Sequence, residues 1–321
     1  MEEAPDAAAA RARTNAARPR PAARARGEAR SPGAAGGAEA VQGRLGAGRA
    51  GLAAFALAWL AVWLACFPAP LALAREHGAL VAVGFGVAVV ANATAIGGGI
   101  LFIPIMVLGY GLSPLVALQL AIAAQAFGMT SGALGWLRRG VVPRAALGAA
   151  LPAVLAGASA SALLVHASPA AVRAVFGPVS IALGAAALAL AGARAERDAV
   201  PAGAHAGLRA AAALGGLASG WVAIGAGELP AALLMLRHRV RADVAIGLGV
   251  VLLSAASVWL LALQVAFLGG VPWERALFLV LGCVFGARLG PRLAARVSPA
   301  TLMRVFGLIA IGDGLLFLLP R

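Results

Sequence analysis

The stretch Ala91-Asn92-Ala93-Thr94-Ala95-Ile96-Gly97-Gly98-Gly99-Ile100-Leu101-Phe102-Ile103-Pro104, ANATAIGGGILFIP, sits inside an apolar block that runs from about 79 to 108. Three consecutive glycines interrupt a helix, because each costs about 1 kcal/mol relative to alanine in a helix interior. Broken backbone at membrane depth persists only where it is buried in protein or lines a cavity. A break there leaves the first N–H groups of the following half-helix free. They carry partial positive charge and suit an anion, and glycine lets a ligand approach the main chain closely. Pro104 falls in the early part of that second half-helix, where a missing N–H costs least. Asn92 and Thr94 are expected to bring side-chain hydrogen bonds to the same gap.

Composition supports a membrane setting. Of 321 residues, 62% are hydrophobic and only 12% are charged, against about one quarter charged in an ordinary soluble domain. Several apolar runs exceed the length needed to cross a bilayer as helix. The short alternating segments of a membrane β-barrel are not seen. The predicted class is therefore an all-α polytopic membrane protein. The net charge of +14 comes from arginine alone, in the N-terminal tail and the loops between apolar runs. There it reports topology and contact with anionic lipid head groups, not nucleic acid. Cys66 and Cys283 lie in separate segments, and the four histidines are scattered near segment ends. Neither pattern suggests a disulfide framework or a metal site. No cofactor is expected.

The remaining apolar runs form two matching sets. Ser168–Gly177, SPAAVRAVFG, recurs as Ser298–Gly307, SPATLMRVFG, at an offset of 130; GVVPRAAL at Gly140 recurs as GVPWERAL at Gly270; IGGG at Ile96 recurs as IGAG at Ile224. The order is preserved, which points to an internal duplication. The predicted organisation is a disordered Arg-rich tail over 1–50, an extra N-terminal transmembrane helix over 51–75, repeat 1 over 79–193, a cytoplasmic linker over 194–206 and repeat 2 over 207–319. Ala72-Leu73-Ala74 resembles a signal-peptidase site, but the tail before it is too long for an ordinary signal peptide, so the first helix is expected to stay uncleaved.

Arginine placement fixes the orientation. If every block crossed once, Arg138, Arg139 and Arg144 would lie outside while the Arg-rich tail lay inside. If blocks 79–108 and 207–236 enter and return on one side, all the basic loops fall on the tail's side, as the positive-inside rule requires. Three crossings then remain per repeat, and an odd number inverts the second copy. Each glycine-centred block is therefore a re-entrant hairpin or, alternatively, one long tilted helix. The N-terminus is expected in the cytoplasm, with the chain multi-pass in the cytoplasmic (inner) membrane.

With AIGGG followed by proline, SGALGWLRRGVV at Ser131–Val142, and a second copy of the pattern in the other half, residues 79–319 resemble the TauE/SafE-like sulfite exporter family. The resemblance implies transport of a small anion such as sulfite, a sulfonate or another organosulfur acid. One departure stands out. The second glycine motif reads Gly225-Ala226-Gly227-Glu228-Leu229-Pro230, which puts an acid beside the glycines.

An ionisable group at mid-membrane costs about 2.5–3.5 kcal/mol on insertion scales and is usually functional. Glu228 is therefore a candidate proton carrier, its structural alternative being a cap on its own half-helix. Asp313 is the second intramembrane acid. The expected substrate-binding set is Asn92, Thr94, Gly97, Gly98, Gly99, Gln125, Gly225, Ala226 and Gly227, with Glu228 and Asp313 coupling to protons. Gln119 and Gln125 are six apart and do not share a helix face; Gln125, nearer the middle, is the better lining candidate. Ser254 and Ser257 share a face and suit packing. The tryptophans, Trp136 among them, read as interfacial anchors or filler. No nucleophile–base–acid set and no Walker loop is visible, so the chain is not read as an enzyme and transport would be secondary. Expected partners are a small anionic substrate, protons and membrane lipids. The alternative function is a membrane-embedded interaction subunit that transports nothing.

Overall fold

The computed structural model describes residues 50–94, 96–164, 168–192, 196–294 and 296–319. The tail assigned to 1–50 lies, apart from Ala50, outside them. The unit Leu52–Arg321 is all-α among the described residues, the polytopic class expected from composition. Helix α1 (Ala50–Cys66) bends by 116° into α2 (Pro70–His77). The single helix expected over 51–75 is thus two. Pro68 and Pro70 explain the corner, because proline lacks an N–H and pushes the preceding residue out of the helical region.

The two repeats have the same parts in the same order. Helix α3 (Ala79–Thr94) leads through a break to the short α4 (Gly99–Pro104), which widens into a π turn over Ile105–Gly109; then come α5 (Pro114–Arg138), α6 (Arg144–Leu164) and α7 (Pro169–Leu190). The second series is α8 (His205–Val222), a break, α9 (Glu228–Ala232) with a π turn over Leu233–Arg237, α10 (Ala242–Phe267), α11 (Trp273–Ala287) with its extension α12 (Gly290–Ala294), and α13 (Pro299–Leu318). Helices α5 and α13 start at Ser-Pro pairs: Ser113 and Ser298 accept the N–H of Val116 and Thr301, and proline takes the first helical position, where its missing donor is harmless. Four helices, α5, α6, α10 and α11 with α12, are long and apolar enough to cross a membrane.

Side-chain contacts give the relative directions. Gln125 meets Ser257 and Thr130 meets Ser254, so α5 and α10 run antiparallel. Gly177 packs on Gly314 and Gly184 on Gly307, so α7 and α13 do too. These helices are counterparts, and counterparts that meet antiparallel are related by a two-fold axis across the helices. The repeats are inverted. The exchange runs through the rest of the packing, since α6 packs on α8 as α11 packs on α3.

The contacts also show what the breaks do. Phe85 lies against Gly286 and Asn92 against Gly290, while Gly128 lies against Cys283 and Gly135 against Pro291. Helices α3 and α5 thus both run in the direction of α11 and parallel to each other. The chain between them has to come back, and α4 is the returning arm. Block 79–109 is a hairpin rather than one long tilted helix. Its counterpart follows the same path, with α8 parallel to α6 through the Gly216–Val154 and Gly220–Ser161 contacts.

All the basic loops between α5 and α12 collect at one end of the bundle. Gly247 packs on Trp136 and Val141, which brings the α5–α6 loop beside the start of α10, and Arg139 donates to the Pro291 carbonyl at 2.6 Å. The segment after 195 joins them. Glu196 pairs with Arg239, and Arg241 holds Asp198 at 3.0 Å and Asp243 at 2.6 Å. Bonding first to Asp243 and then to Asp198 pushes the Arg241 guanidinium pKa above its ordinary value.

Close backbone approach holds the repeats together. A Cβ on Gly282 of α11 would lie 2.0 Å from the Val81 carbonyl oxygen of α3, whereas one on Gly86 would meet nothing within 4 Å. Gly282→Ala is therefore expected to lower stability by about 1–3 kcal/mol through overpacking, while Gly86→Ala raises it by about 0.4–1 kcal/mol. Thermal unfolding in detergent checks both.

Candidate functional site

The two breaks meet at mid-bundle, beside the centres of α5 and α10. Their junction is a single carboxylate. Glu228, the first residue of α9 and 5% exposed, accepts from its own break the N–H of Gly225 at 2.9 Å and of Gly227 at 3.1 Å on Oε2. Its other oxygen, Oε1, accepts the N–H of Gly97 in the opposite break at 2.5 Å. One side chain thus satisfies main-chain donors from both repeats. The N-terminal donors expected to stand open to cargo are met instead by a carboxyl group that the chain itself supplies. The cap weighed as a structural role for Glu228 exists, but it spans two half-helices and not one.

The surroundings complete the polar shell. Gln125 Nε2 donates to the Ala223 carbonyl at 2.9 Å, and its Oε1 accepts from the Ser257 hydroxyl at 3.2 Å. Ser219 accepts the Ala226 N–H at 3.0 Å. Ala223 ends α8 with φ 54°, a left-handed conformation that costs a non-glycine residue about 1–2 kcal/mol. The turn aims its carbonyl at Gln125. Gly225 has φ 118°, open in practice only to glycine. A Cβ on Gly97 would come 2.7 Å from Glu228 Oε1, one on Gly99 would come 2.4 Å from the Ala223 oxygen, and one on Gly227 would come 2.5 Å from the Gly249 oxygen. The glycines are there for close contact as much as for bending, Gly97 and Gly99 with the opposite break and Gly227 with α10. Gly98 instead faces the Phe102 ring, 2.8 Å from where its Cβ would be.

The expected set is only partly gathered. Thr94 lines a small cavity with Glu228, Ile96, Met303 and Phe306; its hydroxyl donates to Val90 O and accepts from Ile96 N. That cavity measures about 30 Å³, room for about two waters. Asn92 does not face it. Residues two positions apart on a helix are about 200° apart around its axis, so Asn92 points away from Thr94, toward Gly132 and Gly290. Its Nδ2 donates to Ala88 O, and its Oδ1 is buried without a partner. Asp313 is half-buried on α13, two turns beyond Phe306, and no hydrogen bond or ion pair joins it to a described residue. Sequence reading missed Ser219, whose only signal is a small polar residue four before the second break.

A family model described as sulfite exporter TauE/SafE matches residues 80–316. The chain belongs to this family. Neither the curated proteins nor the solved structures give a match. The matched span runs from the first turn of α3 to the last turn of α13, so TauE/SafE membership covers nearly all of the inverted-repeat core and makes the protein a membrane transporter. No group of histidine, cysteine and acidic side chains suited to a metal occurs among the described residues.

Gly97→Ala is expected to push the Glu228 carboxylate off the first break. Stability should fall by about 1–3 kcal/mol, well beyond the effect of Gly86→Ala. Gln125→Leu leaves the buried Ala223 carbonyl unpaired and should cost about 1–3 kcal/mol. Thermal unfolding of the purified variants measures both.

Proposed function

We propose that this TauE/SafE protein is a secondary transporter of a small anion, sulfite, a sulfonate or another organosulfur acid, and that Glu228 couples its movement to protons. The observation that carries the reading is the Glu228 carboxylate bonded by N–H groups of both breaks. Those groups recognise an oxyanion, because they form a charge-complementary cradle at two helix starts. In the closed state the cradle already holds one negative charge. A second anion cannot share it, since like charges a few ångströms apart repel strongly in a low-dielectric interior.

Protonation resolves the conflict. A neutral Glu228 releases the cradle, and the cargo takes the Gly97, Gly225 and Gly227 N–H groups, with those of Gly98 and Gly99 at the start of α4. Thr94 and Gln125 stand beside this position. One proton and one anion then travel together, which keeps the site's charge constant. The inverted repeats supply the movement: one rocks against the other about the centre where the breaks touch, opening first one end and then the other. Coupling is assigned to Glu228 alone, because nothing ties Asp313 to the cradle.

The end that carries Arg139 and Arg239 faces the cytoplasm, following the positive-inside rule. Single cysteines at 139 and 239 should react with a membrane-impermeant reagent from the same side of the membrane, and one at 269 from the other.

Flux of sulfite and sulfonates into proteoliposomes with an imposed pH gradient tests the coupling. The wild-type flux should follow the gradient. Glu228→Gln keeps the side chain's size and removes its charge, so its flux should lose the gradient dependence and fall by about tenfold or more. A Glu228→Gln protein that responds to the gradient as the wild type does overturns the coupling.

A further inference from the structure

A second cavity, about 280 Å³, lies at the end of the bundle opposite the arginine loops, between the start of α5 and the end of α10. Its polar lining is Gln119, Ser161 and Gln264, with Gly220 of α8 at its wall. It approaches the size of small-molecule sites, about 300–1,000 Å³, and is far larger than the space beside Glu228. Gln119 is six residues before Gln125 on α5, which sets the cavity about 9 Å along the helix from the breaks.

Two independent observations mark it as a site. The first is Gln264, 5% exposed, whose Oε1 is buried with no hydrogen-bond partner. An orphaned buried polar group costs about 1–3 kcal/mol, and such groups are rare enough in native structures to need a reason.

The second is the comparison between the two ends. Trp136 and Gln264 are counterparts, each 22 residues into its helix from Pro114 and Ala242. Asn92 and Gly220 each stand two residues before the end of α3 or α8, and Ser161 and Gly290 each stand 17 residues after the start of α6 or α11, Gly290 in the extension α12. At the arginine end this place is solid. Trp136 is 1% exposed, donates to Asn92 O at 3.3 Å, and carries the Arg139 guanidinium over its ring at 4.9 Å. At the other end the same place holds Gln264 in place of tryptophan and Gly220 in place of Asn92, and it is hollow. A Cβ on Gly220 would lie 1.9 Å from the Ser161 hydroxyl, so the glycine is what leaves room for that hydroxyl.

We infer that this cavity is a second substrate subsite, a vestibule that holds a small oxyanion still carrying one proton, of the hydrogen sulfite kind, on its way to or from the Glu228 cradle. The inference rests on the transport reading above for the ligand's class. Neither a basic nor an acidic side chain lines the cavity. The neutral amide N–H groups of Gln119 and Gln264 serve the anion's oxygens; the Ser161 hydroxyl, whose own proton goes to the Ala158 carbonyl at 3.0 Å, and the unpartnered Gln264 Oε1, turned toward the cavity, are the acceptors for its remaining O–H. A ligand with oxygens but no O–H leaves the Gln264 acceptor unpaired and binds less well.

Calorimetric titration of the purified full-length protein with sulfite and, separately, methanesulfonate tests this. The wild type should bind sulfite more tightly. Gln264→Leu and Gln119→Leu each keep the bulk and remove the amide; either should weaken sulfite binding by about tenfold, and Gln264→Leu should abolish the preference over methanesulfonate. In proteoliposomes either variant should raise the KM for sulfite while its flux still follows the pH gradient, which separates the vestibule from Glu228. Unchanged sulfite affinity in whichever of the two variants folds overturns the vestibule and leaves the Glu228 reading standing. A wild type that binds no sulfite overturns the vestibule too. A wild type that binds sulfite with this pattern but moves none overturns the transport reading and leaves the vestibule as a binding site.

Discussion

One carboxylate holds the centre of this protein together. Two interrupted helices in an apolar bundle expose main-chain donors that water does not reach, and each unpaired donor costs about 1–3 kcal/mol. Glu228 satisfies three of them, two in its own break and one in the other. Its burial as an ion costs about 2.5–3.5 kcal/mol on insertion scales. The three bonds together offset about 3–9 kcal/mol of unpaired donors, so the junction holds with the carboxyl group buried. Packing such as Gly282 on Val81 has no comparable switch, because removing it only leaves a void or a clash. On the proposed coupling, a contact whose strength turns on one proton breaks and reforms within the bilayer without unfolding anything else.

Symmetry explains why there is only one such acid. Glu228 follows the glycines of the second break as Ile100 follows those of the first. An acid at both positions would put two carboxylates on one cradle, where they repel. An apolar residue at both would leave donors of both breaks unpaired. The duplicated fold therefore needs its repeats to differ at this position, and Gly99, packed against the Ala223 carbonyl, is small enough to let the break with the acid come in. The same division of labour recurs at the ends, where Trp136 fills one and Gln264 leaves the other hollow. Backbone geometry is shared between the repeats, and chemistry is allotted to one of them at a time.

Much of this could be read from the chain. The IGGG and IGAG motifs mark the breaks directly, since three small residues in an apolar block have few other uses. Arginine positions select the hairpin over a single crossing, and crossing parity then inverts the second repeat. Glu228 announces itself as an acid where acids are expensive. What sequence could not give is the reach between Glu228 and Gly97, 131 residues apart, which depends on how the hairpins face each other. Asn92 was legible in principle, because helix geometry already sets it on the face opposite Thr94. Trp136 is harder. A tryptophan near a helix end reads as an interfacial anchor, and only the packing of α3, α5 and α10 around it makes it a plug. The corner at Pro68 was written in the sequence, but the surrounding hydrophobic run masked it.

The filled end and the hollow end constrain how the protein could alternate. In an inverted repeat, the two open states would be mirror versions of one rearrangement if the residues were identical. Here they are not. Opening the arginine end has to lift Trp136 from Asn92 and Arg139 from both the indole and the Pro291 carbonyl, which exposes a large apolar ring and breaks a charge-assisted bond. Opening the other end asks for nothing similar, since Gln264 makes no side-chain hydrogen bond there to lose. The two ends therefore differ in what opening would break, before any cargo binds. Under the proposed rocking movement, cargo or the proton on Glu228 makes up that difference to open the arginine end. In a carrier built this way the gradients set the direction of net transport, and a bulky residue at a single helical position sets how hard each end is to open.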